Sequence, residues 1–283
     1  MKASSFSIRR MKRTEIDIAI DWAEAEGWNP GIHDPDCFWA ADPNGFLIGL
    51  LDDEPVAMVS AVAYGDLYGF MGFYIVKPEV RNRSYGVQMW EEGLRYLENR
   101  CIGLDSVRPD LVSHKKPEFK PAYANYRFKW TKDKQGEVAP EVIELAQAPF
   151  SIVRAYDDEV FGFSRATFLK CWISRTGTKA LGITKGDKLS GYGVIRECRE
   201  GLKIGPLFAD QPGIARALFE ALTREVKPGL PIFLDTPARN PEAVNIARSY
   251  GMTEVFRTTR MYNGPEPTLP LDRWFGVTSF ELG

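Results

Sequence analysis

The clearest chemical signal in this chain is the run Arg81-Asn82-Arg83-Ser84-Tyr85-Gly86-Val87, set between an apolar stretch and an amphipathic one. Phe70 to Val76 reads as a strand that stops at Pro78, and Val87 to Asn99 has helical spacing. The start of a helix leaves main-chain N–H groups without acceptors and collects the positive end of the peptide dipoles. Small residues let a ligand come close to those groups, and two guanidinium groups add charge beside them. The guest that suits such a nest is a phosphate or pyrophosphate. Two other readings of the same residues are a plain strand-turn-helix connection and a Rossmann-type nucleotide turn; the strands before the loop read as antiparallel, which weighs against the second.

The elements that must position this loop follow from periodicity. Thr14 with Asp17 resembles a capping box opening a helix over 14–26, whose Ile16, Ala19, Ile20 and Ala23 share one face and whose C-cap is Gly27. Asp34 to Ala41 suggests a short helix. Runs at 46–51, 56–64 and 68–76 predict strands joined as hairpins at Asp52-Asp53-Glu54-Pro55 and Gly65-Asp66. After the loop and its helix come a short strand at 101–105, a helix near 109–116 and a strand from 119 to 128. The charged stretch 131–140 predicts a linker, so the chain divides into 1–130 and 141–283. The second part predicts a helix at 160–172, strands at 180–184, 191–196 and 202–207, a helix at 214–226, a strand at 231–235, a helix at 241–250 and a strand at 252–262. The fold class is α/β (α+β), with a mixed, mostly antiparallel sheet flanked by helices in each half.

Spacing supports a repeat. Leu104-Asp105 is followed by a helix and Phe119, with Arg127 eight positions on; Leu234-Asp235 is followed by a helix and Met252, with Arg260 eight positions on.

Composition bounds the partners. The 283 residues are 44% hydrophobic and 26% charged, with a net charge of −2 and a pI near 5.9. This balance does not predict nucleic-acid binding. No apolar run is long enough to span a bilayer, and residues 1–13 are basic without the apolar core of a secretion signal. Cys37, Cys101, Cys171 and Cys198 show no paired spacing, which predicts free thiols, a cytoplasmic protein and no metal.

The order of elements, with Arg81-Asn-Arg-Ser84-Tyr-Gly86 between Phe73-Tyr-Ile-Val76 and Met89-Trp90, resembles the GNAT N-acetyltransferase superfamily. Its loop pattern is Gln/Arg-x-x-Gly-x-Gly/Ala, so Ser84 stands where a glycine is usual. Further stretches are similar to a tandem branch with a complete first GNAT domain and a divergent second one: Glu26-Gly-Trp-Asn-Pro-Gly31, Ala41-Asp-Pro-Asn-Gly-Phe46, Ile102-Gly-Leu-Asp105, Arg260-Met-Tyr-Asn-Gly264 and Phe275-Gly-Val-Thr-Ser-Phe280.

The resemblance implies acetyl-CoA as acyl donor and a primary amine as acceptor. The amine belongs to a small molecule, handled by a monomer or homodimer with neither nucleic acid nor membrane. Residues Asn82, Arg83, Ser84, Tyr85, Gly86 and Val87, with Arg81, would hold the pyrophosphate, and Tyr74 and Val76 would meet the pantetheine arm. An acid for the departing thiolate falls at His114, five residues before Phe119, where the family has tyrosine. The alternative is a surface histidine beside Lys115 and Lys116. Tyr123 and Tyr126 are further donors or packing residues. For the base, Asp105 stands against its reading as a turn aspartate, and the pair His33–Asp34 against an N-cap beside a solvated histidine. Trp28, Asp34, Phe38 and Tyr64 are expected to line the acceptor site, where aromatic faces and acids suit a cation. In the second half Asp210 and Pro212 spoil the corresponding anion site, so that half is expected to close the first one's cleft, with Asp235, Arg260 and Tyr262 toward the substrate. Two other functions fit the same residues: a non-catalytic acyl-CoA sensor and a protein or peptide N-acetyltransferase.

Overall fold

A computed structural model describes residues 5–112, 117–132 and 142–283. Antiparallel hairpins build the first half: β1 (Phe6–Arg10), β2 (Phe46–Leu51), β3 (Glu54–Tyr64) and β4 (Tyr68–Val76) lie side by side. Asp52 and Asp53 both take positive φ (50° and 70°), the conformation a tight two-residue hairpin turn demands and one that aspartate tolerates. α1 (Ile16–Ala25) buries the expected Ile16, Ala19, Ile20 and Ala23. The capping box forms two residues earlier than expected: the Lys12 N–H donates to the Glu15 carboxylate at 2.7 Å, and a single tight turn at Arg13–Glu15 leads into α1. α2 (Asp34–Ala41) precedes β2. After β4 come α3 (Tyr85–Tyr96), β5 (Cys101–Ser106), α4 (Pro109–Val112) and β6 (Lys120–Thr131).

The second half repeats this order with β7 (Ile143–Glu144), α5 (Phe150–Phe161), α6 (Ala166–Ser174), β8 (Thr178–Lys185), β9 (Lys188–Glu197), β10 (Leu202–Ala209), α7 (Pro212–Thr223), β11 (Pro231–Pro237), α8 (Pro241–Ser249) and β12 (Thr253–Tyr262). One element is extra, β13 (Trp274–Gly276). The single helix expected at 160–172 is two helices, because Gly162 caps α5 at φ 89° and turns the chain.

Sheet membership crosses the expected division of the chain, whose linker lies almost wholly outside the described residues. β12 inserts between β5 and β6, and β6 pairs with β11, so each half donates its last strand to the other and one continuous sheet results. The aspartates and arginines that revealed the repeat lock this exchange. Arg260 of β12 grips Asp105 of β5 through two hydrogen bonds, Nε at 2.9 Å and Nη2 at 2.8 Å. Arg127 of β6 grips Asp235 of β11 with both bonds at 2.7 Å. All four side chains are buried, and two-pronged pairing is the geometry that lets such charges sit away from water.

A covalent link joins the halves as well. Cys37 of α2 and Cys171 of α6, on matching helices of the repeat, form a disulfide with a Cα–Cα distance of 5.3 Å. This corrects the free-thiol expectation for those two; Cys101 and Cys198 remain thiols. The localisation drawn from four free thiols loses that support. Among the described residues no helix is long and apolar enough to cross a membrane.

Candidate active site

α3 begins at Tyr85, two residues before the Val87 start expected from helical spacing. Gln88 donates its N–H to the Ser84 carbonyl at 3.0 Å, so the amides ahead of it have no acceptor within the helix. Residues 81–84 and Val87 are exposed, while Gly86 is buried against β4. A Cβ at Gly86 would stand 2.7 Å from the Tyr74 hydroxyl and 3.2 Å from Val76, so a side chain there would have to displace the end of the Tyr74 ring and crowd Val76. Asn82, at φ 62°, turns the loop. Arg81 is committed: its Nε donates to the Val76 carbonyl at 2.8 Å and its Nη2 pairs with Glu26. It braces the loop, and Arg83 is the exposed cation. Tyr85 stacks its ring on Phe6 at 4.5 Å, leaving its main chain for the nest.

Beside the nest the sheet forks. β4 and β5 pair in parallel from Tyr68↔Cys101 to Met71↔Leu104, after which β4 continues alone on that side. The register between β3 and β4 slips here, and Phe73 holds φ 45°, a strained value for a phenylalanine. The fork opens into a cavity of about 610 Å³. Gly72 and Tyr74 of β4, Asp105 and Ser106 of β5, and Leu111 of α4 form part of its wall. Tyr74 and Val76 are half-buried along the unpaired edge, and burial pushes the Tyr74 phenol up from its ordinary value. The second half supplies Phe256, Thr258, Phe280 and Glu281.

The corresponding fork in the second half is filled. β10 pairs in parallel with β11 from Leu202↔Ile232 to Ile204↔Leu234 and then diverges, but β13 enters the gap and pairs with β10 at Leu207↔Gly276 and Phe208↔Trp274. The helix beyond, α7, opens with Pro212, which has no N–H to offer.

Residues 14–116 match the acetyltransferase (GNAT) family model, and residues 153–276 match an acetyltransferase (GNAT) domain model. A holothin acyltransferase from Pseudoalteromonas sp. (strain SANK 73390) is 32% identical over 269 residues, covering 95% of this chain and 92% of that protein. The chain belongs to the GNAT acyltransferase family. Its fold is similar to that of a candidate acetyltransferase from Pyrococcus horikoshii, with a TM-score of 0.83 at 21% identity over 100% of this chain and 98% of the other. It is also similar to a tandem GNAT protein from the clavulanic acid biosynthesis pathway, with a TM-score of 0.64 at 11% identity over 93% and 100%.

The GNAT chain brings together only some of the residues singled out by sequence. Trp28 reaches the cavity. Phe38 does not: it is fully buried between Phe73 and Trp172, with ring centroids 5.6 and 6.1 Å away. Tyr64 is buried and donates to the Leu282 carbonyl at 2.7 Å, and burial pushes its phenol far up. Asp34 is buried and does not line the cavity. It accepts from the Gly31 N–H at 3.1 Å and pairs with Arg175 at 2.7 Å and Arg196 at 3.2 Å. Burial pushes its carboxyl up, but the two guanidinium groups override this and hold it below the ordinary range. His33 points away toward Glu197, 3.9 Å off, so the pair expected as a base is separated. Asp105 does border the cavity, yet Arg260 and the Asn125 amide (2.8 Å) occupy it, which makes it a structural anchor. Asp235 and Arg260 serve the strand exchange, and Tyr262 is buried, so none of the three faces a substrate. Tyr123 is buried beside Arg260, and Tyr126 stacks under Arg257; both are packing residues. His114 lies outside the described residues.

Sequence reasoning missed Phe256, Phe280 and Glu281. Their only signal is indirect: they belong to the second half and reach the first half's fork through the strand exchange.

Proposed function

We propose that this GNAT chain transfers an acetyl group from acetyl-CoA to a primary amine of a small molecule, in the fork of its first half. The observation that carries the reading is that fork: an open parallel-strand divergence, with a cavity behind it, directly beside a helix start whose glycine lies against β4. The amides of 82–87 with Arg83 suit a pyrophosphate. The unpaired edge of β4 at Tyr74 and Val76 suits an extended arm bearing amides, added as a strand. Acetyl-CoA would supply the activated thioester carbonyl. The protein's part is to orient that carbonyl, exclude water and move protons. His114, two residues beyond the cavity-lining Val112, is the proposed acid for the departing thiolate.

Trp28, Phe256 and Phe280 make the acceptor side apolar and aromatic, with Glu26 and Glu281 as its acids. That lining favours a small amine with a flat apolar body. The relative named for holothin makes holothin the first acceptor to test. Calorimetry with CoA, followed by thiol release from acetyl-CoA on adding holothin or a panel of primary amines, decides the matter. One CoA per chain and amine-dependent thiol release are expected. No CoA binding, or two equivalents per chain, sinks the reading.

A further inference from the structure

The acids on the cavity wall differ in their commitments. Asp105 is gripped by Arg260 and Asn125, and Glu26 pairs with Arg81. Glu281 is only 4% exposed and borders the cavity, and its carboxylate takes part in no hydrogen bond or ion pair among the described residues. A buried carboxylate without a partner is costly to maintain unless something else requires it.

Its placement is also enforced. After β13 fills the second fork, the chain runs on to the first. At each fork the residue just past the last parallel pair is a glycine: Gly205 follows Ile204↔Leu234, and Gly72 follows Met71↔Leu104. A Cβ at Gly205 would stand 2.5 Å from the Val277 carbonyl, and a Cβ at Gly72 would stand 2.1 Å from the Glu281 carbonyl. Both glycines therefore make room for the main chain of this tail. The Tyr64 hydroxyl holds it at Leu282, and Val277 donates its N–H to the Asp235 carbonyl at 2.7 Å. Residue 281 is thus fixed against β4 where β4 leaves β5.

We propose that Glu281 accepts the proton from the amine nitrogen as that nitrogen attacks the acyl-CoA thioester. This rests on the proposed acyl transfer. One N–H and one C–S bond break, one N–C and one S–H bond form, and the proton taken by Glu281 equals the one the departing thiolate gains from the acid. The groups that act on Glu281 electrostatically are Arg127 of β6, Arg196 of β9 and Lys203 of β10; across the cavity stand Asp105 and Glu26, both paired. Balancing those buried cations is the competing role for Glu281, and it predicts lost stability without a change in proton transfer.

The test uses the full chain with acetyl-CoA, and holothin and a primary-amine panel as acceptors. E281Q is expected to lower kcat by about 10²- to 10⁴-fold and to lose the acid limb of the kcat/KM pH profile, with the acetyl-CoA Kd within about twofold of wild type. E281D retains a carboxylate drawn back by one methylene. It is expected to lower kcat at least about tenfold while keeping the acid limb, which keeps the question open to test should E281Q fail to fold. An E281Q enzyme with kcat within about threefold of wild type, or with its acid limb intact, overturns the assignment. Wild-type protein that binds acetyl-CoA but acetylates none of the amines overturns it too, leaving the cofactor site standing. Wild-type protein that does not bind acetyl-CoA overturns the fork reading itself, before any variant is made.

Discussion

The two halves carry the same fork and treat it in opposite ways. In the first, β4 leaves β5 after Met71 and the gap stays open onto a cavity; in the second, β10 leaves β11 after Ile204 and β13 closes the gap. The helices that follow differ in the same sense. The loop into α3 is exposed and polar and the first amides of that helix have no acceptor within it, whereas α7 starts on a proline after Asp210. The second half keeps the same strand fork and fills it with its own chain. What remains of its value to the first half is the material it sends across: β12 and the tail that follows β13. On the proposed reading, the duplicated fold supplies a wall in place of a second site.

The largest effect expected from breaking this comparison lies in the reciprocal ion pairs. R260M leaves Asp105 with the Asn125 amide but no cation, and R127M strips Asp235 of its arginine; each leaves a buried carboxylate without its paired charge and is expected to cost about 3–5 kcal/mol in urea unfolding. Near-equal losses would show that both strand crossings bear equal weight. Acid should act through Asp235 and Asp34. Burial raises the carboxyls of Asp235 and Asp34, but their arginine partners override it and hold both below the ordinary value. The folded state then binds protons less readily than the unfolded one. Their contribution is fully present above the unfolded carboxylate range, near about 3.9, and is lost as pH falls through the folded values. Stability that is flat from neutral pH to about 4 and drops below it fits this sign; a maximum near pH 3 contradicts it.

Next in size is the disulfide. Cys37 and Cys171 are 134 residues apart in sequence, so the C37A/C171A protein is expected to lose about 2–4 kcal/mol. Two thiols titrating in denaturant without reductant, and four with it, is the expected count. Four thiols in both conditions would remove the bond and restore the reading drawn from spacing.

Much of the fold was legible because the signals that carry it are local. The face of α1, the hairpin turns and the strand-loop-helix at 70–99 each depend on residues within a dozen positions, and the eight-residue offsets to Arg127 and Arg260 exposed the repeat. What those offsets concealed was the partner. Nothing local distinguishes an aspartate paired within its own half from one paired across, so Asp105 and Asp235 read as a candidate base and a substrate contact when they are anchors. The cysteines failed for the same reason: Cys37 and Cys171 come together only through the packing of α2 on α6. The acceptor side was least legible. Asp34, Phe38 and Tyr64 lie near the fork in sequence order but on the buried face of their elements, and Phe256, Phe280 and Glu281 arrive from the far end of the chain.

The smallest effects sharpen the comparison most, because they contrast matched positions. Gly86 and Gly213 are each the second residue of their helix, α3 and α7. A Cβ at Gly86 meets Tyr74 at 2.7 Å, whereas one at Gly213 meets nothing within 4 Å. G86L must therefore displace the end of the Tyr74 ring and crowd Val76, an overpacking cost of about 1–3 kcal/mol that should appear as a CoA affinity weakened roughly 5- to 150-fold. G213A gains helix propensity, up to about 1 kcal/mol, and should leave CoA affinity unchanged. The reverse pattern, with G213A weakening CoA and G86L tolerated, would move the cofactor to the half whose fork β13 fills. That placement would require β13 to leave β10 on binding, which hydrogen exchange at Trp274–Gly276 would register as lost protection on adding CoA. Protection there that does not change, together with a G86L protein that binds weakly, ties the difference between the halves to one strand and one glycine.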